Sequence, residues 1–396
     1  MKNVTVINHL GLRASYGLQG NIDKNTSPYL IGIYDQTTIL PGNSEDAIRP
    51  SSAPNPDLRW EKTQSANIGM DLSLWDNIIS LSVDYYYRKG TDLIGLRMLP
   101  LETGYTSTTV NWAQMENEGV EVALTTRNIH TKDFTWFTNL NFGYNDNTVL
   151  RETVAENAIK PSREGYSVGA IFAYKTAGLD DEGYPLFLTQ DGRKVTATEF
   201  FKLNNAGAST LSAEEQRNLY SYIGSTEPKV SGGFMNTFKY KRVTLGINCI
   251  FNFGMYVQTT PTYDPTNYDR GLNSNRDILN RWTPDHTNTT LPKLMTENDG
   301  RTGEYLRYKE QNLFRELDIW VKKQNYFRFE SIRLGYELPE KWLKPVGIKS
   351  ASVSLEGRNL WVIASNYHNY LDPETMGNPY AAPIPKSFIF GLNVNF

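Results

Sequence analysis

The amino-acid sequence predicts an all-β fold, an antiparallel transmembrane β-barrel or a portion of one, on three observations. Apolar and polar residues alternate with a period of two in segment after segment. Short turns and long links join those segments in strict alternation. The chain is also rich in aromatics, with 24 Tyr, 17 Phe and 8 Trp among 396 residues, although its mean hydropathy is only −0.49. Alternation marks a strand with two unlike faces, and an aromatic but polar composition favours strands over helices.

The first strand is read at Leu10, Leu12, Ala14 and Tyr16. Within residues 60–74, Ala66, Ile68, Met70, Leu72 and Leu74 face one way and Asn67, Gly69, Asp71 and Ser73 the other. After the turn Trp75-Asp76-Asn77 the pattern resumes at Ile79, Leu81, Val83, Tyr85 and Tyr87, completing a hairpin. A second hairpin places Val120, Val122 and Leu124 beside Phe134, Trp136, Leu140, Phe142 and Tyr144. A third joins Phe234, Phe238 and Tyr240 to Val243, Leu245, Ile247, Cys249, Phe251 and Phe253. A fourth joins Ile332, Leu334 and Tyr336 to Ala351, Val353 and Leu355 through Pro339 and Pro345. The last strand carries Phe388, Phe390, Leu392, Val394 and Phe396. About ten strands result, each expected near the roughly 9–11 residues that cross a bilayer.

Long links are expected at 19–59, 94–114, 149–227, 257–323 and 361–384. Unequal links of this kind suit a transmembrane barrel, with short turns on one side and long loops on the other. The alternative is a soluble all-β glycan-binding module with a half-exposed antiparallel sheet, which would not require the asymmetry.

Bulk properties narrow the function classes. Net charge is −3, from 40 basic and 43 acidic side chains, so no overall field attracts nucleic acid. No apolar run reaches the roughly 18 residues of a spanning helix. Cys249 is the single cysteine, which leaves no disulfide framework and no Cys-based zinc site. The start, Met1-Lys2-Asn3-Val4-Thr5-Val6-Ile7, is no signal peptide, so an export signal is expected outside this sequence.

Chemistry-bearing motifs are few. Asp180-Asp181-Glu182-Gly183 lacks the ligand spacing of a calcium loop and reads as an acidic turn. His9, His130, His286 and His368 form no ligand pair. Ser212 with Glu215 forms a capping box, which predicts a short helix inside a long loop. No nucleophile elbow, phosphate loop or acid–base pair is present, so neither catalytic nor metal-binding residues are assigned, no cofactor is expected, and an enzyme is not. The candidate ligand-contacting residues are aromatics assigned to loops: Tyr34, Trp112, Tyr263, Tyr268, Trp282, Trp361 and Tyr367. Their flat faces suit a sugar ring or a peptide at low entropic cost.

Seven stretches, in order along the chain, resemble the C-terminal region of SusC/RagA-type TonB-dependent transporters. They are Leu12-Arg13-Ala14-Ser15-Tyr16-Gly17, Asn55-Pro56-Asp57-Leu58-Arg59-Trp60-Glu61-Lys62-Thr63, Met115-Glu116-Asn117-Glu118-Gly119-Val120-Glu121, Glu164-Gly165-Tyr166-Ser167-Val168-Gly169, Pro228-Lys229-Val230-Ser231-Gly232-Gly233-Phe234, Arg281-Trp282-Thr283-Pro284 and Pro385-Lys386-Ser387-Phe388-Ile389-Phe390-Gly391-Leu392. The resemblance implies a 22-strand outer-membrane barrel with a plugged lumen. Residues 1–396 would then supply about its last ten strands, with the plug domain, TonB box and signal peptide absent from this sequence. It also implies a SusD-like surface lipoprotein as partner, TonB acting through the missing plug, and an oligosaccharide or peptide as cargo. Phe396 resembles the terminal aromatic read by the barrel-assembly machinery.

Overall fold

A computed structural model of the chain describes residues 6–24, 26–40, 42–105, 107–268, 273–366, 372–378 and 380–396. Its main feature is a ten-stranded antiparallel sheet in which every strand pairs with its neighbours in sequence. The strands are β1 (Ile7–Asn21), β2 (Glu61–Leu74), β3 (Ile79–Met98), β4 (Ser107–His130), β5 (Phe134–Arg151), β6 (Val230–Tyr240), β7 (Val243–Phe253), β8 (Tyr326–Glu337), β9 (Ser350–Ala364) and β10 (Ser387–Asn395). All ten expected strands are present, and the four hairpins pair as their alternation requires.

Register carries the two-faced pattern across the whole sheet. One row of paired residues runs Leu12, Met70, Val83, Val122, Phe142, Gly232, Phe251, Phe327, Ile363. A second runs Leu10, Leu72, Leu81, Leu124, Leu140, Phe234, Cys249, Phe329, Trp361. The row between them lies on the opposite face and runs Gly11, Asp71, Ser82, Ala123, Asn141, Gly233, Ile250, Arg328, Val362. Because the side-chain period is two, a slip of one residue anywhere would mix these rows, so the apolar pattern itself fixes the pairing.

Two expectations about length are corrected. Strands run from 9 residues in β10 to 24 in β4, well beyond the expected span in the middle of the sheet. On β3 the apolar row from Ile79 to Tyr87 covers about 30 Å of strand, yet the strand continues to Met98. The long link expected at 94–114 therefore shrinks to residues 99–106. Register shifts at Gly90–Ile94, where Asp92 has φ +55°, interrupt the two-residue period and hide the continuation.

The short turns lie at one end of the sheet. Residues 75–78 turn through three consecutive positive-φ residues, Trp75, Asp76 and Asn77, and Asn8 donates its amide to the Asp76 carboxylate at 3.2 Å. Only Lys241 and Arg242 separate β6 from β7. A helical turn, Glu340–Leu343, occupies the link between β8 and β9. The long links 22–60, 152–229, 254–325 and 365–386 all emerge at the opposite end. No described helix is long and apolar enough to cross a membrane, which says nothing of strands.

Candidate functional site

Links 152–229 and 254–325 fold together into a body of their own above the long-link end of the sheet. Its core contains Tyr174, Tyr184, Phe187, Phe200, Phe201, Tyr305, Leu313, Phe314, Leu317 and Trp320. Three short strands (176–179, 185–188 and 194–195) form a small sheet; helix α1 (Ala197–Phe201) packs against its middle strand and against α3 (Thr302–Gln311), and α2 (Ala213–Leu219) follows α1 in the same link. The capping box expected at Ser212 and Glu215 starts α2, and Thr196 caps α1.

The two links interlock through polar contacts as well as rings. Tyr174 donates its backbone N–H to Glu316 O at 2.9 Å, and Asp318 returns one to Tyr174 O at 3.0 Å. Thr198 donates its hydroxyl to the buried Glu304 carboxylate at 2.9 Å. Arg301 binds Asp180 at 2.6 Å and lies 4.4 Å from the centroid of the Tyr184 ring, whose hydroxyl donates to Asp299 at 2.9 Å. Burial raises the Asp299 carboxyl, but bonds from Thr296, Lys293 and Tyr184 outweigh it and hold the group at about 2. Burial pushes the Tyr174 phenol up to about 12 beside its stacking partner Tyr220. The acidic stretch from Asp180 is a tight turn: the Asp180 carboxylate accepts the N–H groups of Glu182 and Tyr184, and Gly183 has φ +83°.

Where this body meets β5 and β6, an open cavity of about 240 Å³ is lined by Asn145, Asp146, Tyr166, Tyr222, Glu227 and Lys229. Tyr166 and Tyr222 stack at 4.6 Å, Phe172 meets both edge-on, and both tyrosines stay more than a third exposed. Lys229 pairs with Asp146 at 3.2 Å. Burial raises the Glu227 carboxyl, and its Oε2 has no hydrogen-bond partner among the described residues. Flat aromatic faces beside amide, carboxylate and ammonium groups can hold a polyhydroxylated ring or a peptide.

The seven aromatics singled out from sequence are not gathered at this place. Tyr34 is exposed on a separate hairpin and donates to Asp46 at 3.4 Å. Trp112 lies within β4, where the Arg151 guanidinium sits 3.8 Å from its ring centroid. Tyr263 is buried in the loop core, its hydroxyl donating to Pro292 O at 2.7 Å. Tyr268 is exposed. Trp282 covers Gly183, where an added Cβ would lie 2.5 Å from the indole. Trp361 is a residue of β9 rather than of a loop, and it meets Phe329 edge-on on the apolar face. Tyr367 lies outside the described residues. The Tyr166 and Tyr222 pair was not singled out, although Tyr166 stands inside one of the resembling stretches; their pairing across 56 positions leaves no mark in the sequence.

Comparison with known proteins agrees with this architecture. The family model described as TonB dependent receptor-like, beta-barrel matches residues 3–360. The chain belongs to this family. TonB-dependent receptor P3 of Formosa agariphila is 26% identical over all of this chain and 40% of its own length. TonB-dependent receptor SusC of Bacteroides thetaiotaomicron is 23% identical over all of the chain and 38% of its own. Among solved structures, the RagAB peptide importer in its closed-closed state superposes with a TM-score of 0.76, 25% identity, and coverage of 100% of this chain and 42% of that one. The chain thus spans about two fifths of the length of the relatives it matches. In a TonB-dependent receptor barrel the apolar rows face lipid and the polar rows face the lumen.

Proposed function

We propose that the protein to which this chain belongs imports a nutrient across the outer membrane, with this chain as a barrel wall and its loops as part of the outer binding surface. One observation carries the reading: two rows of mostly large apolar residues run across nine strands while all the long links leave the sheet at a single end. A soluble glycan-binding module would leave that apolar face in water, which disfavours the rival reading.

The cargo is an oligosaccharide or a peptide, gripped by loop aromatics, with a SusD-like surface lipoprotein over the loops and TonB acting on a plug contributed from outside residues 1–396. The exposed Tyr34, Trp112 and Tyr268 remain candidates for cargo contact, and the stacked Tyr166 and Tyr222 join them. Phe396, exposed at the end of the final apolar row, suits recognition by the barrel-assembly machinery.

The test is growth of cells lacking the full-length gene, with and without complementation, on oligosaccharides and peptides as sole carbon sources. The reading expects at least one source whose use needs both this gene and TonB. Finding none across both classes would overturn it.

A further inference from the structure

Arg328 is a buried charge on the wrong side of the sheet to meet lipid. It lies between Phe327 and Phe329 of the apolar rows, so its own side chain points into the lumen, and only 3% of that side chain is exposed. Two carboxylates from the link between β9 and β10 enclose it: Nη2 donates to Asp372 at 2.5 Å and Nε to Glu374 at 2.6 Å.

The segment that supplies them is a compact knot. Asp372 accepts the Glu374 N–H on its carboxylate at 3.0 Å and the Thr375 N–H on its carbonyl at 2.9 Å, and Asn378 bonds back to Thr375 O. Pro373 is fully buried and Met376 nearly so. Gly377 lies against Val257 of the loop body, where an added Cβ would be 2.9 Å from the valine methyl. Residues 372–378 of the last long link are therefore fastened to the wall at the loop end of β8.

An apolar contact would hold such a segment without desolvating the Arg328 and Asp372 charges. An ion pair binds strongly while formed but leaves fully hydrated groups when opened, so it suits a hold that is made and broken. We propose that residues 372–377 are a strap latched to the lumen wall by Arg328, with a released state in which the strap leaves the wall.

The test labels single cysteines with a membrane-impermeant maleimide on cells displaying the full-length protein, after Cys249→Ala removes the one cysteine of this chain. Met376→Cys reports the strap, and Ala197→Cys, buried in the loop body, reports general opening. Asp372→Asn with Glu374→Gln is expected to speed labelling at 376 by about tenfold or more, because the partners of a buried charge are lost, and to leave 197 unchanged. Arg328→Glu with Asp372→Arg and Glu374→Gln re-forms a pair and is expected to return the slow rate. Equal rates at 376 in all forms would overturn the latch, and so would rates that rise together at 376 and 197. Labelling reads the strap directly, so its outcome stands apart from the import reading.

Discussion

In the barrel wall Leu12, Ile68, Leu334 and Phe390 each keep more than half of their surface open, whereas in the loop body Tyr174, Phe187, Phe201 and Leu317 keep 1% or less. Both regions are rich in large apolar side chains, yet one turns them out and the other turns them in. The difference teaches that the wall is only half of a solvent-exclusion device. Its apolar rows are buried by lipid, while its backbone bonds are satisfied strand to strand, as a spanning structure requires. The loop body stands in water and needs an interior of its own. It builds one from two links that are separated by β6 and β7 in the sequence.

The sharpest way to separate the two regions is to damage one core and watch the other. Phe187→Ala removes a fully buried ring that stacks on Phe200 at 4.9 Å, and a loss of about 3–5 kcal/mol is expected within the loop body. Limited proteolysis of the full-length protein in vesicles should find new cleavage within 152–229, while the wall keeps its resistance to cold detergent. Simultaneous loss of the wall would show that the two regions are one cooperative unit.

A charge placed on the wall is the converse experiment. Val122→Arg, in the middle of an apolar row, is expected to cost about 2–4 kcal/mol in lipid. Thr125→Arg, on the lumen face of the same strand, should be nearly neutral. The fraction of folded, heat-modifiable protein after assembly measures both, and equal penalties would break the assignment of faces.

A smaller effect is expected from acid. Asp299 sits at about 2 in the folded loop body against 3.8 for the free side chain. A depressed carboxyl stabilises the fold above the free value, and that contribution is lost as pH falls through about 2. Proteolysis at 254–325 should therefore rise between about pH 4 and pH 2, less so in Asp299→Asn. An identical acid response in both forms would remove Asp299 from the balance.

Alternation made the wall legible because each strand declares its two faces locally. Reading stopped where the period broke. Bulges around Asp92 hide the outer half of β3, and Asn359, with φ +55°, hides the end of β9, so in the sequence Trp361 reads as a loop residue although it belongs to the apolar face. The candidate site was less legible. Tyr263 and Trp282 look like exposed loop aromatics in the sequence, but one is core and the other covers a glycine. Aromatics that pack a loop and aromatics that face a ligand have the same composition and neighbours in sequence.

The sequence by itself determined that there are ten strands, which of them form hairpins, the facing of residues wherever the period is regular, and the alternation of short turns with long links, because a two-residue period and short turns are local. Only the tertiary structure decided that two links form one packed body, that Tyr166 meets Tyr222, and that Arg328 holds Asp372 and Glu374. Those contacts join residues 44 or more positions apart and reach into the long links, where no repeating period exists to announce which side chain turns inward.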